Sequence, residues 1–277
     1  MTKVTVAALL LVLAATASGA RAQAPDTTSA AWVVEMFYGR PAFPGLAEHV
    51  TGEFAEHYAG AATVGAGLPP EVVVTSRPLR QEAERATFAT HLRDASHARD
   101  FYTFLRRENG VWKISEVRTL ALPPLHDALL QELEGLRSRR ELPDSMVAEL
   151  ENMRLTAASD SALKAHLLAH EPAFRALAER FAAARGLTAL STERTATGSA
   201  PATETRELRA GLRALRLGGL ERRPKAPGCV LIVIGGMLDN EVGYIFAPPG
   251  CTPPAVSPSA YIYVEQVAPG WYLYKTT

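Results

Sequence analysis

The stretch that most restricts how this chain can fold is R-D-F-Y-T-F-L-R-R-E-N-G-V-W-K-I-S-E-V-R, from Arg99 to Arg118. Asn109 and Gly110 at its centre suit a type I′ turn, in which both central residues take positive φ. Alternating apolar and polar residues flank them. The segment therefore predicts two antiparallel strands, Asp100 to Arg107 and Val111 to Thr119. A two-residue loop also fixes their register, setting Leu105 against Ile114, Tyr102 against Val117 and Arg107 against Trp112, where the guanidinium can lie over the indole. Both faces carry bulky apolar groups. Such a sheet needs helices on one side and a lining on the other.

Upstream, Glu71 to Ser76 and Ala83 to Leu92 also alternate and predict two further strands. They follow two helical stretches. Ser29 can cap the first, in which Val33, Met36 and Phe37 share a face before Gly39 and Pro41 end it. The second follows Pro44, with Leu46, Val50, Phe54 and Tyr58 recurring every fourth residue and Thr51-Gly52 able to break it. Helices thus precede a sheet.

With A-A-W-V-V-E-M-F-Y at Ala30 to Tyr38 and the Arg99 to Arg118 ribbon, this part resembles the nuclear-transport-factor-2-like, or cystatin-like cone, superfamily. The resemblance covers under half of the chain left after the leader described below. It implies N-terminal helices packed on a strongly curved antiparallel sheet. Members of that superfamily include isomerases, dehydratases, cyclases and non-catalytic binding or assembly domains, so the fold does not choose a function. It implies a pocket at the open end of the sheet, for which Tyr38, Tyr58, His91 and Tyr102 are the ligand-binding candidates. Asp94 and Asp100 flank a loop and are expected to cap strand ends and face water. No motif marks a carboxylate base paired with an oxyanion donor, and catalytic residues cannot be named.

Compartment is read from the leader. Lys3, the apolar run Val4 to Ala17 and the small-x-small site Ala20-Arg21-Ala22 predict a secretory signal peptide cut after Ala22. Export places Cys229 and Cys251 where disulfides persist, and a bridge between them is expected. If Asp239 and Asn240 form a hairpin loop, Cys229 faces Gly250, next to Cys251. The 29 basic and 29 acidic residues balance, so nucleic acid has no global charge to find.

The expected organisation is a leader (1–22), a cone-like α+β domain (23–122), a helical segment (123–187), a linker or surface loop (188–205) and a C-terminal helix with a β-meander (206–277). Within the helical segment Pro172 is expected to separate two helices, the first ending near His170. His166 and His170 share a helix face, but with no Glu after the first and no third ligand they are read as partly exposed rather than metal-bound. Arg206, Arg209, Arg213 and Arg216 form the basic face of an amphipathic helix opposite Leu208, Leu212 and Leu215. It can meet anionic lipid or an acidic partner, or be docked by its leucines with a solvated basic face. Tyr261, Tyr263, Trp271, Tyr272 and Tyr274 form a partner-binding patch if they point outward and core if they point inward.

The fold class expected is α+β. The function expected is an exported, non-catalytic binding or assembly module whose partner is a protein, glycan or small molecule. The alternative is a small-molecule enzyme of isomerase, dehydratase or hydrolase type, or a carrier, using the interior of the N-terminal cone. No cofactor, metal, nucleic acid or membrane span is expected.

Overall fold

The computed structural model describes residues 28–41, 43, 45–58, 63–95, 98–192, 196–237 and 239–277. The expected leader and its cleavage site lie outside the described residues. The architecture is mixed helix and antiparallel sheet, with a four-stranded and a seven-stranded sheet. No helix among the described residues is long and apolar enough to cross a membrane.

Helix α1 (Ala30–Tyr38) begins as predicted, with the Ser29 hydroxyl accepting from the Trp32 amide at 3.1 Å. A 3-10 turn at Leu46–His49 and helix α2 (Gly52–Tyr58) follow, interrupted at Val50, which forms a parallel bridge to Ile114. Four strands then run in chain order: β1 (Val73–Gln81), β2 (Arg85–Arg93), β3 (Ala98–Glu108) and β4 (Val111–Arg118). Val33, Val34 and Phe37 of α1 pack with Phe88, Leu105, Trp112 and Ile114 on one sheet face.

The β3–β4 turn has Asn109 at φ 51° and Gly110 at φ 83°. Leu105 faces Ile114 and Arg107 faces Trp112, with the guanidinium 5.9 Å from the ring centroid. Beyond that point the predicted register fails, because Ser115 is accommodated as a bulge. Phe104 then faces Glu116, and Tyr102 faces Arg118 rather than Val117.

The middle of the chain forms α3 (Pro124–Ser138), α4 (Asp144–Thr156) and α5 (Asp160–Ala183). As expected, α5 is two helices meeting at a kink, where His170 leaves helical geometry at φ −121°, ψ 15°, two residues before Pro172. The region read as a linker is partly ordered into the second sheet: β5 (Leu187–Ser191) pairs with β6 (Thr197–Gly198) and with β7 (Gly219–Glu221). Leu187 and Leu190 are buried anchors that its polar composition obscured. Between these strands lies α6 (Ala202–Ala214), docked through Leu208 and Leu212.

The last strands are β8 (Val230–Met237), β9 (Asn240–Phe246), β10 (Tyr261–Ala268) and β11 (Trp271–Thr276). They are not a meander. The sheet order is β10-β11-β9-β8-β7-β5-β6, with β11 inserted between β9 and β10. The proline-rich segment after Ala247 carries the chain past the β11 position, and the hairpin at Pro269-Gly270 then folds β11 back into the gap. The β8–β9 register is also shifted from expectation, with Met237 against Asn240 and Val230 against Phe246. The disulfide forms nonetheless, because Cys251 returns through a turn in which its amide donates to the Pro248 carbonyl at 2.9 Å.

One face of the seven-stranded sheet meets α5, α6 and the first sheet's free face in the largest core. The other face is small and covered by the disulfide-pinned segment, through Cys229, Leu231, Ile245, Tyr261 and Tyr274. Gly243 allows Tyr274 to lie across the sheet, since a Cβ there would stand 2.9 Å from its ring and 2.2 Å from the Ile232 carbonyl oxygen.

The disulfide closes a loop with a sequence separation of 22. Replacing both cysteines by alanine is expected to lower the unfolding free energy by about 3 kcal/mol on the loop-entropy argument. Urea denaturation of the double variant beside the oxidised protein measures this, and an unchanged midpoint would contradict it.

Candidate functional site

Strand alternation places Asp100, Tyr102 and Phe104 on the face of the first sheet turned away from α1. Across β2, His91 stands opposite Asp100 and Ala89 opposite Tyr102. This face meets the start of α5 and the end of β11. Ser159 caps α5, its hydroxyl accepting from the Ala162 amide, and this brings the Asp160 amide to the Asp100 carboxylate. Alternation along β11 puts Lys275 in the buried row of Trp271 and Leu273.

These placements converge on one cluster. His91 Nδ1 lies 2.7 Å from Asp100 Oδ1, and the Asp160 amide donates to Asp100 Oδ2 at 2.8 Å. Lys275 Nζ reaches Asp100 Oδ2 at 3.3 Å and Asp160 Oδ1 at 2.8 Å. The Tyr102 hydroxyl donates to the same Asp160 oxygen at 2.8 Å. Lys275 is only 3% exposed, so its charge must be answered inside the protein, and two carboxylates answer it.

Burial disfavours an ionised Asp100, but Lys275, the Asp160 amide and His91 outweigh it and hold the carboxyl below its ordinary value. The N-terminus of α5 adds a favourable dipole there. Asp160 goes the other way: burial and the Asp100 charge together exceed the help from Lys275 and Tyr102, and its carboxyl is raised. Burial works against the Lys275 ammonium, yet Asp160 and Asp100 keep its pKa above the usual lysine value. The Tyr102 phenol, raised by burial and then by both carboxylates, stays a proton donor.

A cavity of about 260 Å³ opens beside this cluster, lined by Thr75, Arg77, His91, Asp100, Asp160, Ser161 and Lys164 among others. His91 is its most accessible member of the cluster, with 31% of its side chain exposed. Two of the lining residues are held by Glu265, which accepts from Arg77 at 2.5 Å and from Lys164 at 2.6 Å, as well as from the Tyr263 hydroxyl. These donors outweigh the burial of Glu265 and draw its pKa down to about 2. The Tyr102 and Tyr263 rings lie between the two charged groups, with centroids 4.9 Å apart and planes tilted by 32°.

No protein-family model, curated protein or solved structure matches this chain. The site therefore rests on its own geometry.

Of the residues expected at a pocket, His91 and Tyr102 are brought together through Asp100 and Asp160. Tyr38 and Tyr58 are not. Tyr38 donates or accepts at Thr103 Oγ1, 2.9 Å away, in the core on the α1 side, and Tyr58 stacks on Phe54 there. Asp100 does not face water as expected: it is 8% exposed, because α5 and β11 cover that end of the strand.

Of the two orientations left open for the aromatic residues offered as a partner-binding patch, the structure has the inward one. Tyr261, Tyr263, Trp271 and Tyr274 are buried, and Tyr272 is half-buried. A bulge after Tyr261 also separates it from Tyr263, sending the two into different cores. On the basic helix Arg206 and Arg213 are exposed and Arg209 Nε donates to the Ser191 carbonyl; Arg216, expected on the same face, lies past the helix end with φ 59° and bonds Glu151 at 2.5 Å. The His166 and His170 rings lie 4.7 Å apart. Among the described residues no group of three or more His, Cys, Asp or Glu is placed to hold a metal.

Two members of the cluster, Asp160 and Lys275, escaped the sequence reading. Asp160 sits inside a capping signal, Ser159-Asp160-Ser161, and reads as a first-turn acid. Lys275 carried a usable signal, being the one cation in an apolar alternation.

Removing Lys275 leaves two buried carboxylates without a counter-charge. Lys275→Met is expected to lower the unfolding free energy by about 3–5 kcal/mol in urea, and a near-neutral effect would contradict the account. The sign with pH follows from Asp100. Its folded pKa lies below the unfolded value, so its contribution is complete above about pH 4 and is lost as pH falls through the folded value. Asp100→Asn should flatten that acid limb of thermal stability measured from pH 5 to pH 2.

Proposed function

We propose that this chain is exported and handles a small polar molecule in the cavity beside His91, with His91 as the acceptor of a hydrogen bond or proton. The His91–Asp100 hydrogen bond carries the reading. Asp100 is kept ionised and can only accept, so Nδ1 of the neutral imidazole carries the hydrogen and Nε2 is left with its lone pair. A buried carboxylate that fixes the tautomer and orientation of a half-exposed histidine is the arrangement general-base chemistry requires. Thr75, Ser161 and Lys164 supply polar contacts around the same space.

Export is supported by the leader sequence and by the Cys229–Cys251 bridge, which favours an oxidising compartment. A nuclear-transport-factor-2-like origin for residues 30–118 is supported by two helices followed by four antiparallel strands, with bulges at Pro78/Arg80 and Phe104/Leu105 that bend the sheet. The reading as an aromatic-faced assembly module has lost its surface to the core, which leaves the small-molecule alternative as the better supported one.

The test is the imidazole itself. Long-range 1H–15N correlation spectra should show His91 as the Nδ1–H tautomer when neutral, and Asp100→Asn should disturb it. A screen of small alcohols and hydroxy acids should yield compounds that shift the Thr75, His91 and Ser161 amides and lose their effect in His91→Ala. An Nε2–H tautomer, or compounds that bind His91→Ala as well as the wild type, would refute the assignment.

A further inference from the structure

The first sheet has a second opening on the same face as His91, at the opposite end of the strands. A cleft of about 570 Å³ lies there between the sheet and the proline-rich segment. Its floor is Phe104 and Thr87, and Val256 to Pro258 form its outer wall. Phe104 and Val256 belong to the main core and its margin, so the floor is apolar and firmly supported.

Cross-strand pairing puts like charges side by side at this end. Arg85 on β2 stands directly opposite Arg106 on β3, which stands opposite Lys113 on β4. Directly opposed like charges destabilise a sheet unless something neutralises them. Arg106 is answered by Glu108, 2.6 Å from its Nε, and Lys113 approaches the same carboxylate at 3.7 Å. The two acids of the cleft are taken as well: Glu82 binds Arg80 at 2.5 Å, and Glu116 binds Arg118. Arg85 is exposed and has no side-chain hydrogen bond or ion pair among the described residues.

We infer that this cleft is a second binding site, separate from the His91 cavity, and that it takes an amphipathic organic carboxylate: the acid group on Arg85, the hydrocarbon body over Phe104 and beneath Val256. The guanidinium offers the planar fork that matches a carboxylate in two parallel hydrogen bonds. The cleft is in the size range of small-molecule sites, with an apolar floor and one unsatisfied polar anchor. A neutral alkyl chain would leave Arg85 unmatched. A cationic one would add a charge to the row that already needs an anion.

The probes are octanoate, octan-1-ol and octylamine, titrated into the full chain and followed by calorimetry and by 1H–15N amide shifts. Octanoate should saturate and move the amides of Thr87, Arg106 and Ser257, while the alcohol and amine should bind at least tenfold more weakly. Arg85→Ala should weaken octanoate about tenfold, which is about 1.4 kcal/mol, and Arg85→Lys should recover part of it. His91→Ala should leave it unchanged, so this site stands or falls independently of the other cavity. Equal binding of all three probes, indifference to Arg85→Ala, or octanoate shifts elsewhere than this cleft would each overturn the proposal.

Discussion

A single lysine with almost no contact with water organises this protein. An ammonium removed from solvent is tolerated only when opposite charge and hydrogen-bond acceptors surround it. Lys275 finds them in two carboxylates from different parts of the chain, Asp100 on a strand of the first sheet and Asp160 at the start of the long helix. These ion pairs tie the second sheet to the first and α5 to both. Apolar packing in the shared core supplies the attraction, but it is not directional. The ion cluster adds directional contacts to it.

The same requirement shapes the candidate site. Asp100 is held as a carboxylate by a lysine and a helix N-terminus, and this lets it orient His91. Asp160 shifts the other way, raised by burial and by the Asp100 charge, so the two acids around one lysine differ in how readily they ionise. Structural support and chemical poise come from the same groups. The cavity lies where the first sheet meets the start of α5, and each brings side chains that the other could not position alone.

Local chemistry was legible in the sequence, and long-range geometry was not. The Asn109-Gly110 turn, the Ser29 cap, the Pro172 distortion and the disulfide partners each depend on a few neighbouring residues, and each appears in the structure. The predicted register failed in both hairpins where a bulge intervened, at Ser115 and between Val233 and Gly235, since one extra residue reverses every later side chain and leaves no compositional mark. Asp100 was read as solvent-facing because its cover comes from α5 and β11, remote in sequence. The orientation of the C-terminal tyrosines stayed open in the sequence because a sheet covered on both faces does not show the apolar and polar alternation that reports exposure. The strand at Leu187–Ser191 was hidden by the polar residues after it.

The insertion of β11 between β9 and β10 bears on how the protein is assembled. The β8–β9 hairpin can form early, since its strands are adjacent in sequence. Until β11 arrives, however, β9 exposes an unpaired apolar edge, V-G-Y-I-F from Val242 to Phe246, of the kind that recruits other chains. The intervening segment is stiffened by prolines and tied back by Cys251, so it shortens the search that delivers the missing strand. By that argument the bridge shortens the interval in which the β9 edge stands open, besides holding the finished fold.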